Sequence, residues 1–214
     1  MLASLPPQRP RLWTLASTSW LLSLSLIFTS PTALANSTAR AKLATLLVPP
    51  AYSLKSERQV PYNNGQAQLS RYERTDGRNN GLNGEHISFL IDAQGQLKGY
   101  IKKEQNQAQG TLPSQAEARS IAEAFVRQQG PTLLNGFKHD GVSRQTETLR
   151  QGSQSVQIPY LRVKMRSSDG LWFWVFVGTD KQVMAFERDI GWDYLRFRRS
   201  TEQWLLDDQR PLNG

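Results

Sequence analysis

The sequence predicts an α+β fold made of two tandem repeats, each a short helix packed on an antiparallel β-sheet, followed by a C-terminal tail rich in aromatic and arginine residues. Two stretches have apolar residues at helical spacing, and each precedes strands joined by turn residues. Neither element can bury its apolar face alone, so the helix and the strands of each unit are expected to pack together. The order of helix, strands and hairpin occurs twice, which predicts the tandem arrangement.

The first 35 residues have the pattern of a secretory leader. They contain Arg9 and Arg11 but no acidic residue, then an apolar core at 20–28, and they close with an Ala-Leu-Ala segment ending at Ala35. This pattern predicts a signal peptide, residues 1–35, cleaved after Ala35, which would place the protein in the periplasm or outside the cell. A retained membrane anchor is the alternative, although the apolar run is shorter than the ~20 residues of a spanning helix. After cleavage no stable membrane insertion is expected.

The first repeat is assigned to residues 36–110. Apolar side chains at helical spacing predict a helix at 37–47, which Pro49 ends. A polar stretch with turn signals and one strand follows. A hairpin is then predicted at 86–103, where Gly95 supplies the positive φ that a tight turn needs.

The second repeat is assigned to residues 111–190. Its helix begins with a capping box, in which the Ser114 hydroxyl accepts from a free amide while Glu117 reaches back to the start of the helix. Gly130 ends this helix. Two strands and a second hairpin at 171–188 complete the unit, as in the first repeat.

These elements carry a family resemblance. The helix at 114–125 with its Ser-x-x-Glu start, and the hairpins at 87–100 and 174–186, are similar to the PepSY-like repeats of peptidase propeptides and of YpeB- and YcdB-type proteins of the bacterial cell envelope. The similarity covers most of residues 37–189. It implies a non-catalytic module that regulates, inhibits or chaperones an envelope protein such as a peptidase. The segment 179–181 departs from the pattern, because it has no glycine in the turn.

Catalysis is not predicted. The chain has no Cys, which excludes disulfides, thiol catalysis, Cys-ligated zinc and iron–sulfur clusters. Its two histidines, His86 and His139, do not stand at a metal-ligand spacing, and no nucleophile elbow, phosphate loop or dinucleotide fingerprint occurs. The sequence therefore predicts a protein that is not an enzyme and has no catalytic site, metal site or cofactor.

The C-terminal tail, residues 191–214, has the most distinctive composition in the chain. Aromatic and arginine side chains are interleaved along it, as in the anchor residues of protein interfaces. A Ser-x-x-Gln pattern at Ser200 predicts a short helix at its end. The predicted partner-binding residues are Trp192, Tyr194, Arg196, Arg198, Arg199 and Trp204. The alternative is that the tail aromatics pack against the end of the sheet.

The expected partner is an envelope protein such as a peptidase, and the alternative function is binding of a small ligand or envelope polymer. In that alternative Trp172 and Trp174 would line a cleft between the sheets. Nucleic acid is not expected as a partner, because export separates the protein from chromosomal DNA. Removing the leader takes away two arginines and leaves a net charge of +6, less than strong phosphate binders carry.

Overall fold

The computed structural model describes residues 31–63 and 65–205, and this part of the chain is mostly β. It has two α-helices, α1 (Pro31–Leu47) and α2 (Gln115–Gln129), and two short 3-10 helices, Gln105–Ala108 and Pro131–Leu134. Apart from residues 31–35, where α1 begins, the predicted leader lies outside the described residues. The strands are β1 (Tyr52–Tyr62), β2 (Gly65–Arg74), β3 (His86–Asp92), β4 (Leu97–Lys103), β5 (Lys138–Gln151), β6 (Gln154–Arg166), β7 (Trp172–Gly178), β8 (Val183–Ile190), β9 (Trp192–Asp193) and β10 (Arg198–Arg199).

Strands β1 to β8 form one antiparallel sheet in the order β1-β2-β3-β4-β8-β7-β6-β5. At its centre β4 pairs with β8, so that Tyr100 lies opposite Phe186 and Ile101 opposite Ala185. The antiparallel pairing is confirmed, but the predicted α+β fold of two tandem helix-on-sheet repeats is wrong, because one shared sheet dominates the structure. Both β4 and β8 bury side chains on their two faces. An unpaired edge on either strand would expose apolar surface and free backbone groups, and their mutual pairing removes both edges.

Both helices pack on one face of this sheet. The Ser114 hydroxyl accepts a hydrogen bond from the Glu117 amide at 3.2 Å, as the sequence pattern predicts, and α2 begins at the next residue. Ala118, Ala122 and Val126 recur along α2 at helical spacing and are fully buried against the strands. Small residues at these positions let the helix lie close to the sheet.

The opposite face of the sheet is partly closed by the bending of the two long hairpins. At the tip of the β1–β2 hairpin, the Tyr62 hydroxyl donates to the Arg188 carbonyl of β8 at 2.8 Å. At the tip of the β5–β6 hairpin, the Arg150 amide donates to the Asn83 carbonyl, in the loop before β3, at 2.7 Å. Neither contact joins neighbours in the strand order, so the sheet curls toward this face.

The C-terminal segment also covers this second face. Leu205 is buried against Gly99 of β4, where a Cβ atom would lie only 2.9 Å from the Leu205 Cδ1 atom. Residues 200–205 form no helix, so the helix predicted at Ser200 is wrong. The Arg199 Nε atom donates a hydrogen bond to the Thr201 carbonyl, which a helix would use within its own backbone. The non-helical path brings Leu205 into the core.

Candidate functional site

The candidate site begins on two neighbouring strands, β6 and β7. The apolar residues that alternate along β6 pack on the helix side, so Arg162 and Lys164 lie on the opposite face. Lys164 pairs with Trp174 of β7, and directly opposed residues in an antiparallel pair share a face. Trp172 lies two residues before Trp174 and therefore on that face too. The pleat thus places two cations beside two indole rings.

Residues from the C-terminal tail complete a concave site above these side chains. The chain leaves β8 and returns along β9, which brings Trp192 and Tyr194 over the sheet. The resulting cavity has a volume of about 300 Å³. We call it the aromatic cleft, and it is lined by Asp140, Arg162, Lys164, Trp172, Trp174, Trp192 and Tyr194. It lies between the sheet and the tail, whereas the sequence analysis placed the Trp172 and Trp174 cleft between two sheets.

The cations of the aromatic cleft are held against its rings. The Arg162 guanidinium carbon lies 5.1 Å from the centroid of the Trp174 ring, and the Lys164 Nζ atom lies 4.8 Å from that of Trp172. Both distances are within the range of cation–π attraction. Lys164 also forms a 2.8 Å ion pair with Asp140. These contacts fix one guanidinium, one ammonium and one carboxylate around the cavity.

Two hydrogen-bond donors of the aromatic cleft are buried without an acceptor. The Trp174 Nε1 and Arg162 Nε atoms have no hydrogen-bond partner among the residues that the structure describes. Trp174 is only 9% exposed, so its indole N–H does not gain a full water contact in exchange. A buried donor left without an acceptor costs about 1 to 3 kcal/mol. Both donors would gain from a ligand that offers acceptor atoms.

Beyond the aromatic cleft, the tail forms a small projecting hairpin. Strands β9 and β10 pair through Asp193 with Arg198 and through Trp192 with Arg199. The Asp193 carboxylate accepts from the backbone amides of Leu195 at 3.0 Å and Arg196 at 3.1 Å, which holds the turn in shape. We call this element, residues 192–199, the finger. Hydrogen bonds within residues 192–199 hold this geometry.

The end of the finger is apolar and open to solvent. Leu195 is 93% exposed, Phe197 81% and Tyr194 58%. Arg196 and Arg198 extend beside them and are also exposed. The finger therefore presents two large apolar side chains, Leu195 and Phe197, that alternate along the chain with two cations.

The six residues predicted to bind a partner do not form one surface. All but Trp204 belong to the finger, where Trp192 and Tyr194 line the aromatic cleft and Arg196 and Arg198 are exposed to solvent. Arg199 is turned inward, where its Nη1 atom lies 2.9 Å from the Glu187 carboxylate. Trp204 lies over β1, with its indole N–H donating to the Pro61 carbonyl at 2.8 Å. Of these six, the packing alternative for the tail aromatics describes Trp204. Arg199 is held inward by its ion pair, and the other four lie at the surface.

Sequence reasoning did not select several residues of the site. Arg162 and Lys164 belong to a stretch whose alternating cations indicate a charged sheet face, but nothing in the sequence places that face under the tail. Leu195 and Phe197 are ordinary core-type residues in sequence, and only the turn at Asp193 exposes them. Asp140 enters the site through a register shift between His139 and Gly141 of β5.

Neither histidine lines the aromatic cleft. His86 is buried, with its Nδ1 atom 2.9 Å from the Gly84 carbonyl, and the His139 Nε2 atom lies 2.8 Å from the Glu123 carboxylate. Within residues 31–63 and 65–205, no three His, Asp or Glu side chains are grouped so that they could hold a metal ion. That the chain is not an enzyme remains a prediction.

Comparison with known proteins does not add a family. No protein-family model matches the chain, and no curated protein matches it with statistical significance. The similarity to PepSY-like repeats therefore stays a prediction. In the described part of the chain, neither helix has the length and apolar character needed to cross a membrane.

Proposed function

We propose that the protein is a non-catalytic binding module of the cell envelope, which binds a partner protein through its finger. The observation that carries this proposal is the concentration of exposed apolar surface. In the described part of the chain seven large apolar side chains are exposed, and four of them lie between Trp192 and Phe197. Soluble proteins expose such side chains singly, and a group of them marks an interaction surface.

The composition of the finger fits a protein interface. Aromatic residues and arginine are enriched in the buried centre of interfaces, where each supplies a large contact area or a planar set of donors. Leu195 and Phe197 can enter an apolar groove, while Arg196 and Arg198 meet carboxylates at its rim. Mechanism would then be steric: the finger occupies a groove of the partner and keeps other molecules out of it.

The backbone at Phe197 supports a role outside folding. Its φ is +51°, in the left-handed region that a bulky side chain adopts at a cost of about 1 to 2 kcal/mol. Phe197 is exposed, so packing of its ring within the chain offsets little of this backbone cost. Strained, exposed residues of this kind collect at functional sites.

The predicted leader supports an envelope partner. Cleavage after Ala35 would deliver the finger to the periplasm or the cell exterior, where the resemblance to PepSY-like repeats suggests a peptidase as the protein that is bound. Regulation, inhibition and chaperoning all follow from occupation of a groove, and they differ in what the groove does for the partner.

Replacing the apolar end of the finger should abolish partner binding and leave the fold intact. In the double variant Leu195→Ser, Phe197→Asn both side chains are exposed, and the asparagine suits the left-handed backbone, so the free energy of unfolding should stay the same or rise by up to about 1 kcal/mol. Partner affinity should fall about tenfold or more, because interface anchors of this type carry most of the binding energy. The affinity is measured by titration with the partner protein, which the cross-linking experiment described next identifies.

The partner is identified by a photoactivatable phenylalanine analogue placed at Leu195 in the full chain and exposed to an envelope extract of the source organism. The matched control carries the same analogue at Leu82, which is 73% exposed on a loop outside the finger. We expect one protein to be cross-linked from position 195 and not from position 82. Equal cross-linking from both positions, or a partner affinity that is unchanged in the double variant, would show that the finger is not the contact surface.

A further inference from the structure

We propose that the aromatic cleft is a second binding site, which holds one sugar ring carrying a carboxylate group. This site goes beyond the protein contact of the finger, because its floor is the sheet and its ligand is a small molecule or one unit of a polymer. Three features of the cleft lead to this ligand: its size and rings, its unpaired donors and its one acidic side chain.

The size and the rings of the aromatic cleft suit a single ring. Its volume of about 300 Å³ is at the lower end of the range of ligand sites. Four aromatic side chains line it, two from β7 and two from the tail. Aromatic faces of this kind stack on flat or ring-shaped groups and exclude water from them.

The charges and hydrogen-bond donors of the aromatic cleft favour a ligand with one anionic group. Arg162 and Lys164 supply two positive charges and Asp140 one negative charge, so the site has a net charge of +1. That balance fits a single carboxylate better than a doubly charged phosphate. The Arg162 Nε and Trp174 Nε1 atoms are buried donors without an acceptor, and a carboxylate has two oxygens that can accept from them when these side chains turn toward the ligand.

The acid of the aromatic cleft distinguishes a sugar from an aromatic acid. Asp140 is an acceptor, and it shares the cavity with Lys164, to which it is paired at 2.8 Å. A benzoate ring has no donor for this carboxylate. The hydroxyl groups of a sugar can donate to Asp140 and accept from Lys164, so a sugar acid offers partners to both charged groups of this ion pair.

The probes are D-glucuronate and D-galacturonate, each titrated into the full chain while tryptophan emission and heat are recorded. We expect at least one of them to quench the emission and to bind about tenfold more tightly than D-glucose, which lacks the carboxylate. Methyl β-D-glucuronide tests whether a unit within a polymer is accepted as well as the free sugar. Failure of both sugar acids to bind, whether or not benzoate binds, or equal binding of glucose and both acids, would overturn the proposal.

Variants locate the binding. Arg162→Met removes the guanidinium and should weaken sugar-acid binding about tenfold or more, while Trp174→Phe keeps an aromatic ring and loses the N–H, for a loss of about fivefold. The matched control is Arg58→Met, because Arg58 lies 5.4 Å from the Trp204 ring, outside the aromatic cleft. An equal loss of sugar-acid affinity in the control variant would show that the sugar acid does not bind in the aromatic cleft.

The two proposals fail separately. The finger variant Leu195→Ser, Phe197→Asn changes no side chain of the aromatic cleft and should bind the sugar acid as the original chain does. Arg162→Met should in turn still cross-link the partner from position 195. Loss of sugar-acid binding in the finger variant would mean that the cleft does not bind it independently.

Discussion

Replacing Arg199 by methionine is expected to lower the free energy of unfolding by about 3 kcal/mol. The Glu187 carboxylate on β8 is 7% exposed, and the Arg199 Nη1 atom lies 2.9 Å from it. Removing one partner of a buried ion pair leaves the other charge without compensation, which costs about 3 to 5 kcal/mol. The same guanidinium also donates to the Glu202 carbonyl at 2.8 Å and so links the base of the finger to the segment that follows it.

The matched control is Arg198→Met, one residue earlier on the same strand. Arg198 is exposed, so the free energy of unfolding should change by less than about 0.5 kcal/mol. Chemical denaturation followed by tryptophan emission measures both variants. Equal stability of the two would show that the ion pair with Glu187 contributes little.

A second substitution separates the ion pair from the rest of the Arg199 contacts. Glu187→Gln in the Arg199→Met background removes the uncompensated charge and should restore part of the lost stability, while Glu187→Gln alone should destabilise. Additive effects in this double-mutant cycle would contradict the coupling. The cycle matters for function as well, because it decides whether Arg199, predicted as a contact residue, acts on a partner or on the base of the finger.

Local patterns predicted most of the individual elements. The start of α2 at Ser114 is confirmed, and so are the hairpins β3–β4 and β7–β8, because caps and turns depend on residues close together in sequence. Strand β1 was missed and read as a polar stretch. Residues 53–59 of that strand are exposed on both faces, so they show no alternation, and their conformation comes from pairing with β2.

The assembly of the elements could not be predicted in the same way. The pairing of β4 with β8 joins Ile101 to Ala185, more than eighty residues apart, and nothing in either strand specifies the other. The same holds for the aromatic cleft. Its tryptophans stand out in the sequence, but Trp174 and Trp192 line the same cavity only because the tail turns back over the sheet. The sequence thus predicts which tryptophans belong to a site, whereas the shape of the site depends on contacts between distant segments.

The finger and the aromatic cleft share a boundary at Trp192 and Tyr194. Both side chains line the cleft, and the strand that carries them leads directly to Leu195 at the end of the finger. A protein bound at the finger would therefore lie over the opening of the cleft. Under the two proposals, the bound sugar acid and the bound protein would influence each other's affinity through these two residues.

Raising the pH above 10 is expected to unfold the protein through its buried tyrosines. Burial is the main reason that the pKa of the phenol is raised above its ordinary value of 10.0 in five of them, and the shift is large in all but Tyr72. Nearby carboxylates raise it further, because they repel a phenolate: Asp189 acts on Tyr62 and Glu104 on Tyr100. The four tyrosines with a large shift are Tyr52, Tyr62, Tyr100 and Tyr160.

The sign of the effect follows from the direction of the shift. Below pH 10 both states keep the phenolic protons, so the stability is fully present. Above pH 10 the unfolded chain loses these protons while the folded protein retains them, and stability falls by up to about 1.4 kcal/mol per pH unit for each tyrosine. Four groups together remove roughly 4 kcal/mol between pH 10 and 11, a large part of the 5 to 15 kcal/mol typical of a folded domain.

Denaturation midpoints measured from pH 8 to 11.5 test this expectation, and Tyr100→Phe supplies the decisive comparison. Tyr100 is 4% exposed, so its replacement removes one of the four groups and should make the fall above pH 10 about a quarter less steep. The same replacement at Tyr194, which is 58% exposed on the finger, should leave the slope as it is. If both variants lose stability as steeply as the original chain, the alkaline unfolding comes from lysine deprotonation and not from the tyrosines of the core.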